Sequence, residues 1–420
     1  MPESHLPKTK ILIATAWFIC IVATLNYSYD FFIRAAPGAM TEELKIAFKI
    51  NATNIGWLSS AYFIAYTVMQ IPAGVIIDKY NRKIVIGVAT ALCVLGNYLF
   101  SATSYYEVAF LGRILMGIGS AFGFVGAAKM AGMWLPQRFF STFIGIATIV
   151  GILGGLITDV VLANLVDTLG WIHANEVFTY IGLALLILVF IFIRDNPKHV
   201  QKFDHYNQIS FKETIRKVMI IFKNPKFWAA SLIGASIFIP INVLGSLWGV
   251  SFIQIKLGLS QAEASHLNGF LFMGAAIGFG FFGVLSAFTN KFRLLLILSL
   301  SSSALLLAIL LFVTLEKNLF IVLYLLLGAM AGPQAVTFTI AKVLSPAGTS
   351  GSSTAGVNMV NNLAAVILLP LIGYALTLFT AHLDDGYNTI VDYQYSLSII
   401  IIILLSCLPL AFILPKKMEV

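Results

Sequence analysis

Twelve long apolar runs separated by short polar turns constrain this chain more than any other feature. They fall at about residues 11–36, 54–77, 84–103, 108–133, 139–161, 175–193, 226–253, 263–288, 294–314, 319–342, 352–379 and 394–414. Most approach the ~20 apolar residues a helix needs to cross a bilayer. The 420 residues are 59% hydrophobic and only 10% charged, against roughly 25% charged in soluble domains, and mean hydropathy is +0.92. In hydrocarbon every backbone polar group needs an internal partner, which restricts spanning segments without barrel periodicity to helices. The expected fold class is an all-α polytopic membrane protein with twelve transmembrane helices.

An even number of crossings puts both termini on one side, and charge says which. Loops on that side hold 19 of the 26 Lys and Arg; those opposite hold Lys45, Lys49, Lys256 and Lys317. The positive-inside rule predicts cytoplasmic termini in a plasma (bacterial inner) membrane. Net charge +8 then reports topology and contact with anionic lipid rather than a nucleic-acid partner. The first run is too long for a cleaved signal peptide and is expected to stay as helix one. Cys20, Cys93 and Cys407 lie within apolar runs and read as small core residues.

The runs divide into an N-terminal bundle (1–193), a cytosolic linker (194–225) and a C-terminal bundle (226–420). Within the linker, Ser210 and Glu213 have capping-box spacing. Ile209, Phe211, Ile215, Val218, Met219 and Phe222 follow at helical spacing, against Lys212, Arg216 and Lys217. This pattern predicts a short amphipathic helix on the inner leaflet.

Between the second and third runs stands GVIIDKYNRK, with Gly74, Asp78, Lys79, Arg82 and Lys83. It resembles the G-x-x-x-D-(R/K)-x-G-R-(R/K) signature of major facilitator superfamily transporters. Asn81 replaces the second glycine, as a residue that tolerates left-handed backbone angles. The resemblance implies two six-helix bundles about a central cavity, working by alternating access. It also implies a gate in which Asp78 pairs with Arg82 or caps a helix of the other bundle, while Gly74 allows close packing. The second bundle keeps a worn copy: Gly283, Lys291 and Arg293.

Ionisable groups inside spans are expensive and are functional candidates by default. Asn26, Asp30 and Arg34 are spaced i, i+4, i+8 in the first run, with Tyr27 beside them. Desolvation and a neighbouring cation act on a carboxylate in opposite senses, so Asp30 is placed to exchange a proton. Tyr62, Tyr66 and Gln70 form a polar stripe in the second run. Together with Arg34-Ala-Ala-Pro37, Glu43-Leu44, Gly56-Trp57 and Met69-Gln-Ile-Pro72, this part resembles the anion:cation symporter family, bacterial phagosomal nutrient transporters and lysosomal dipeptide carriers. Two departures weaken the organic-anion reading: Ser120 where such symporters have glutamate, and Phe124-Val-Gly126 where they tend to have proline. Arg113 matches the superfamily's helix-four arginine, implicated in proton transfer or structural bonding. Lys129 reads as a substrate contact or a snorkelling lysine.

The second bundle is polar and nearly uncharged. It offers Asn242 and Trp248 beside an expected helix break at Pro240 and Gly245, then Gln334, then Asn358, Asn361 and Asn362 at i, i+3, i+4. No nucleotide-binding loop, HExxH or nucleophile elbow is present, which argues against an enzyme and implies no cofactor and no metal. The sequence reading favours a monomeric, proton-coupled importer of a small-molecule substrate, an amino acid or dipeptide-like zwitterion held by Arg34 and Asp30. An organic anion, sugar acid or carboxylate siderophore, is the alternative, and a membrane receptor or scaffold the non-transport reading.

Overall fold

The computed structural model describes residues 6–195, 216, 219–289, 291–344, 350–380 and 388–414. Among these there is helix and no strand. The first bundle comprises α1 (Leu6–Ala35), a short α2 (Thr41–Phe48), α3 (Ala52–Lys79), α4 (Arg82–Ser101), α5 (Tyr106–Ser120), α6 (Gly123–Trp134), α7 (Gln137–Ile157) and α8 (Ala163–Phe192). The second comprises α9 (Pro225–Pro240), α10 (Gly249–Leu257), α11 (Gln261–Thr289), α12 (Phe292–Phe312), α13 (Lys317–Ala329), α14 (Gln334–Val343), α15 (Ser350–Thr380) and α16 (Ile390–Ser406).

Eleven helical stretches of the described residues are long and apolar enough to cross a membrane. One of them, Thr142–Phe192, has 51 residues and would be roughly 75 Å long if straight, over twice the hydrocarbon thickness. It turns at Gly170, where φ is 79°, and therefore makes two passes, for twelve in all. Four expected boundaries need correction. The first pass continues through a 3-10 turn (Ala36–Met40) into α2, and the fourth is divided between α5 and α6. The tenth is divided between α13 and α14 around Gly332-Pro333. At Pro240 and Gly245 the helix does not break but widens into a π segment, Ile241–Trp248.

Polar caps fix the helix starts. Asn51, Asn81 and Asn224 each accept a backbone N–H from one of the first helical turns, and Thr389 with Asp392 forms a capping box on α16. Asn81 has φ −58°, so it stands in the signature as a helix cap, not for left-handed freedom. Of the expected linker helix, only Arg216 and residues 219–222 belong to the described residues, and they are helical; Ser210, Glu213 and the rest lie outside them.

Small residues set the helix distances. A Cβ on Gly274 would lie 2.0 Å from the Leu325 carbonyl oxygen, and one on Gly328 2.0 Å from that of Leu271. The two glycines thus let α11 and α13 touch backbone to backbone. Gly328→Val is expected to lower stability by at least about 1–3 kcal/mol, the usual effect of overpacking, read as a lower thermal midpoint in detergent.

The bundles meet along two seams. On the first, α3 lies against α15: Thr53 and Thr377 share a hydroxyl hydrogen bond of 2.9 Å, and a Cβ on Gly56 would lie 2.5 Å from the Leu369 carbonyl oxygen. Pro370 leaves the Val366 carbonyl without its helical N–H partner, and Ser60 of the other bundle donates to that oxygen at 2.8 Å. On the second seam, α7 lies against α11, with Gly155 under the ring of Phe272. Both seams are tight at the end away from Lys79 and Arg82, called here the far face. Toward the opposite, basic face a Cβ on Gly74, Gly145 or Gly283 would meet nothing within 4 Å. Gly74 therefore serves no close packing in this conformation.

Candidate functional site

Asp30 and Arg34 sit one turn apart near the end of α1, 1% and 4% exposed, with Arg34 Nη2 3.7 Å from Asp30 Oδ1. The Tyr62 hydroxyl donates to the same carboxylate oxygen, and the other oxygen, Oδ2, is buried without a hydrogen-bond partner. Arg34 does not snorkel. Its guanidinium lies 4.3 Å from the ring centre of Phe31, 5.2 Å from Tyr66, 5.5 Å from Phe63 and 5.6 Å from Tyr62. These distances fit cation–π attraction, worth about 2 kcal/mol when desolvated. Tyr62 and Tyr66 stand ten and fourteen residues below Ala52, so the cluster lies about 15–21 Å from the far end of α3, near mid-membrane.

Tyr66 joins this cluster to the second bundle. Asn358 donates to Gln70 Oε1 at 2.8 Å and to the Tyr66 hydroxyl at 3.4 Å. Asn362 donates to the Asn358 carbonyl at 2.8 Å, and Asn242 to that of Asn361 at 3.3 Å. Gln70 Nε2, Asn242 Oδ1, Asn362 Oδ1 and both amide atoms of Asn361 are buried without a hydrogen-bond partner. An unpartnered buried amide costs about 1–3 kcal/mol.

Other expected residues have different duties. Arg113 donates to the carbonyls of Ile33 (2.6 Å), Leu58 and Arg34 (both 3.4 Å). Ile33 lies four residues before Pro37, and the last carbonyls of a helix lack partners; Arg113 caps α1 and ties it to α3. Asn26 accepts from Thr90 at 2.6 Å, while Tyr27 packs on Gly123 and Gly151 within electrostatic range of Asp30, Arg34 and Tyr66. The Trp248 indole is fully buried and donates to the Leu369 carbonyl at 3.1 Å. Gln334 is buried on α14.

In the signature, the Arg82 guanidinium donates to the backbone carbonyl of Asp78 at 3.2 Å and not to its carboxylate. That carboxylate accepts from Lys129 at 2.6 Å, and Arg82 also lies 3.7 Å from Asp195, which accepts the Arg82 backbone N–H. The Asp78–Lys129 pair is internal to the first bundle, and Asp195 stands just after it. Lys79 lies over the ring of Tyr80, and Lys83 is partly exposed. Lys129 is thus a partner of the signature. Its distance from Asp78, 51 residues along the chain, hides this from any local pattern.

The Major Facilitator Superfamily profile matches residues 16–369. The chain belongs to this superfamily. Its members are secondary transporters, not enzymes. It is 22% identical over 388 residues to an uncharacterized transporter of Bacillus subtilis, covering 86% of this chain and 87% of that one. It is 26% identical over 187 residues to a probable galactarate/D-glucarate transporter of Escherichia coli K12, which covers 43% of this chain and 41% of that protein, less than half of either. In fold it is similar to a bacterial homolog of the human lysosomal transporter Spinster, solved inward-facing and occupied. The TM-score is 0.77 at 15% identity, covering 94% of this chain and 96% of the other.

Proposed function

We propose that the protein is a proton-coupled symporter of a small polyhydroxy carboxylate of the sugar-acid type. The observation that carries this reading is the buried Asp30–Arg34 pair under Tyr62 and Tyr66. While Asp30 is ionised it neutralises Arg34. Once a proton neutralises Asp30, the guanidinium is left without a counter-charge, and a substrate carboxylate takes that place. One proton and one anion then move together without net charge. The unpartnered amides of Gln70, Asn242, Asn361 and Asn362 are suited to hydroxyls. The similarity to a probable galactarate/D-glucarate transporter over 43% of the chain agrees in chemistry.

The zwitterion reading is less well supported, since the carboxylate that would meet an ammonium group, Asp30, already pairs through Oδ1 with Arg34 and accepts there from Tyr62. With the basic face in the cytosol of a bacterial inner membrane, the face closed in this structure is the external one, and an inward proton gradient drives import. Asp78, Lys79, Arg82, Lys83 and Lys129 then form the cytosolic gate of the first bundle, which closes when the seams of Gly74, Gly145 and Gly283 come together. Arg113 serves this scheme by holding α1 in place.

The test is purified protein in proteoliposomes with the interior made alkaline. A labelled hexuronate, a monoanion, is expected to accumulate and to be released by a protonophore. Accumulation of amino acids or dipeptides with sugar acids inert would overturn the cargo, and no flux of any solute would favour a receptor.

A further inference from the structure

A second carboxylate is buried in the membrane region without a cation. Asp159 is 0% exposed and lies in a π segment, Thr158–Leu162, that follows α7. Its partners come from the other bundle. Asn268 of α11 donates to Oδ2 at 2.9 Å, and Ser265 Oγ stands 3.4 Å from Oδ1. Asn268 is itself fixed: it donates to the Gly245 carbonyl at 3.3 Å and accepts from the Tyr324 hydroxyl of α13 at 2.8 Å. A Cβ on Gly249 would lie 2.3 Å from Asn268 Oδ1, so the absence of a side chain there gives Asn268 its place.

The surroundings are neutral on every side. α1 presents the Phe32 carbonyl, which accepts from Thr158 at 3.0 Å. The turn Ala36–Met40 carries no titratable residue. On α11, Glu263 pairs with Lys317 3.8 Å away, and His266, next to Ser265 in the chain, has its Nε2 buried. α13 contributes Tyr324, the titratable group coupled to Asp159 among the described residues. No ion pair to Asp159 exists among them, in contrast with Asp30.

We propose that Asp159 is a second proton-binding site: as the neutral acid it latches the two bundles at the far face, and as the anion it releases them. The neutral acid satisfies the geometry, its Oδ1–H donating to Ser265 Oγ while Oδ2 accepts from Asn268. The anion would be a buried charge with two neutral donors and no cation, which is strongly unfavourable. Opening the far face hydrates it. A proton arriving from that side therefore permits the closure seen in this structure. This inference rests on the reading of the chain as a proton-coupled carrier and does not depend on the cargo.

The test is a spin-label distance across the far face, between Tyr105→Cys in the first bundle and Val313→Cys in the second, both exposed, measured in lipid nanodiscs without substrate. The native cysteines are buried. The ratio of short to long distances is expected to fall by at least about fivefold between about pH 5 and pH 9, a shift within reach of one carboxyl group. Asp159→Asn is expected to keep the short distance throughout. Asn268→Leu, which leaves the acid and removes its donor, is expected to lengthen the distance even at the lower pH. A pH-independent parent, an Asp159→Asn variant that responds like the parent, or an unaltered Asn268→Leu would each overturn the latch. A protein that shows the expected distances but accumulates no sugar acid overturns the cargo and leaves the latch standing.

Discussion

Asp30→Asn is expected to abolish proton-driven accumulation of substrate while leaving exchange of labelled for unlabelled substrate intact. The amide has nearly the shape of the carboxyl and still accepts from the Tyr62 hydroxyl, so the site keeps its architecture. It cannot take up or release a proton, and Arg34 is left permanently without its 3.7 Å counter-charge. Substrate then binds regardless of pH, but the proton gradient no longer biases its movement. At one proton per carboxylate, a gradient of about two pH units supports about 100-fold accumulation, since each unit is worth ~1.4 kcal/mol. The variant should equilibrate and go no further. Paired uptake and counterflow in one proteoliposome preparation check this, and retained accumulation would remove Asp30 from the coupling. Because proton and monoanion together carry no net charge, an imposed potential should leave uptake by the unmodified protein unaltered.

The features legible in the sequence are those fixed by the geometry of a single helix. Asp30 and Arg34 are one turn apart in any helix, and so are Tyr62, Tyr66 and Gln70, or Asn358 and Asn362. Their types and spacing are enough to name them, and hydropathy is enough to place the crossings. Contacts between helices carry no such period. Lys129 meets Asp78 across 51 residues and Asn268 meets Asp159 across 109, through packing that no local pattern encodes. Arg113 reads, by resemblance, as a residue of proton transfer or of structural bonding. Only the structure brings it against the Ile33 carbonyl that Pro37 leaves unpaired. The π segments at Asp159 and Asn242 are hidden for another reason. One extra residue per turn changes neither composition nor hydropathy, yet it redirects both polar side chains toward the seam.

Arg34→Ala is expected to remove substrate binding altogether and to destabilise the protein, and the second effect separates two roles of the same side chain. Its loss leaves Asp30 buried without a cation, and breaking one partner of such a pair typically costs about 3–5 kcal/mol. That penalty should vanish when the pH is low enough to neutralise Asp30, and also in Asp30→Asn/Arg34→Ala, where no charge remains. The double variant should therefore melt at a higher temperature than Arg34→Ala alone, a coupling that a double-mutant cycle isolates because the two side chains touch. Binding follows a different rule. The substrate carboxylate needs the guanidinium itself, so neither low pH nor the second substitution should restore uptake. Arg34→Lys keeps the charge but loses the planar fork and its stacking on Phe31 and Tyr66. Retained stability with affinity weakened about tenfold, or ~1.4 kcal/mol, is the outcome expected for a residue that recognises a carboxylate by shape. If Arg34→Lys binds as well as the parent, charge alone suffices. If Arg34→Ala still binds sugar acids by calorimetry, the anchor lies elsewhere and the pair is structural.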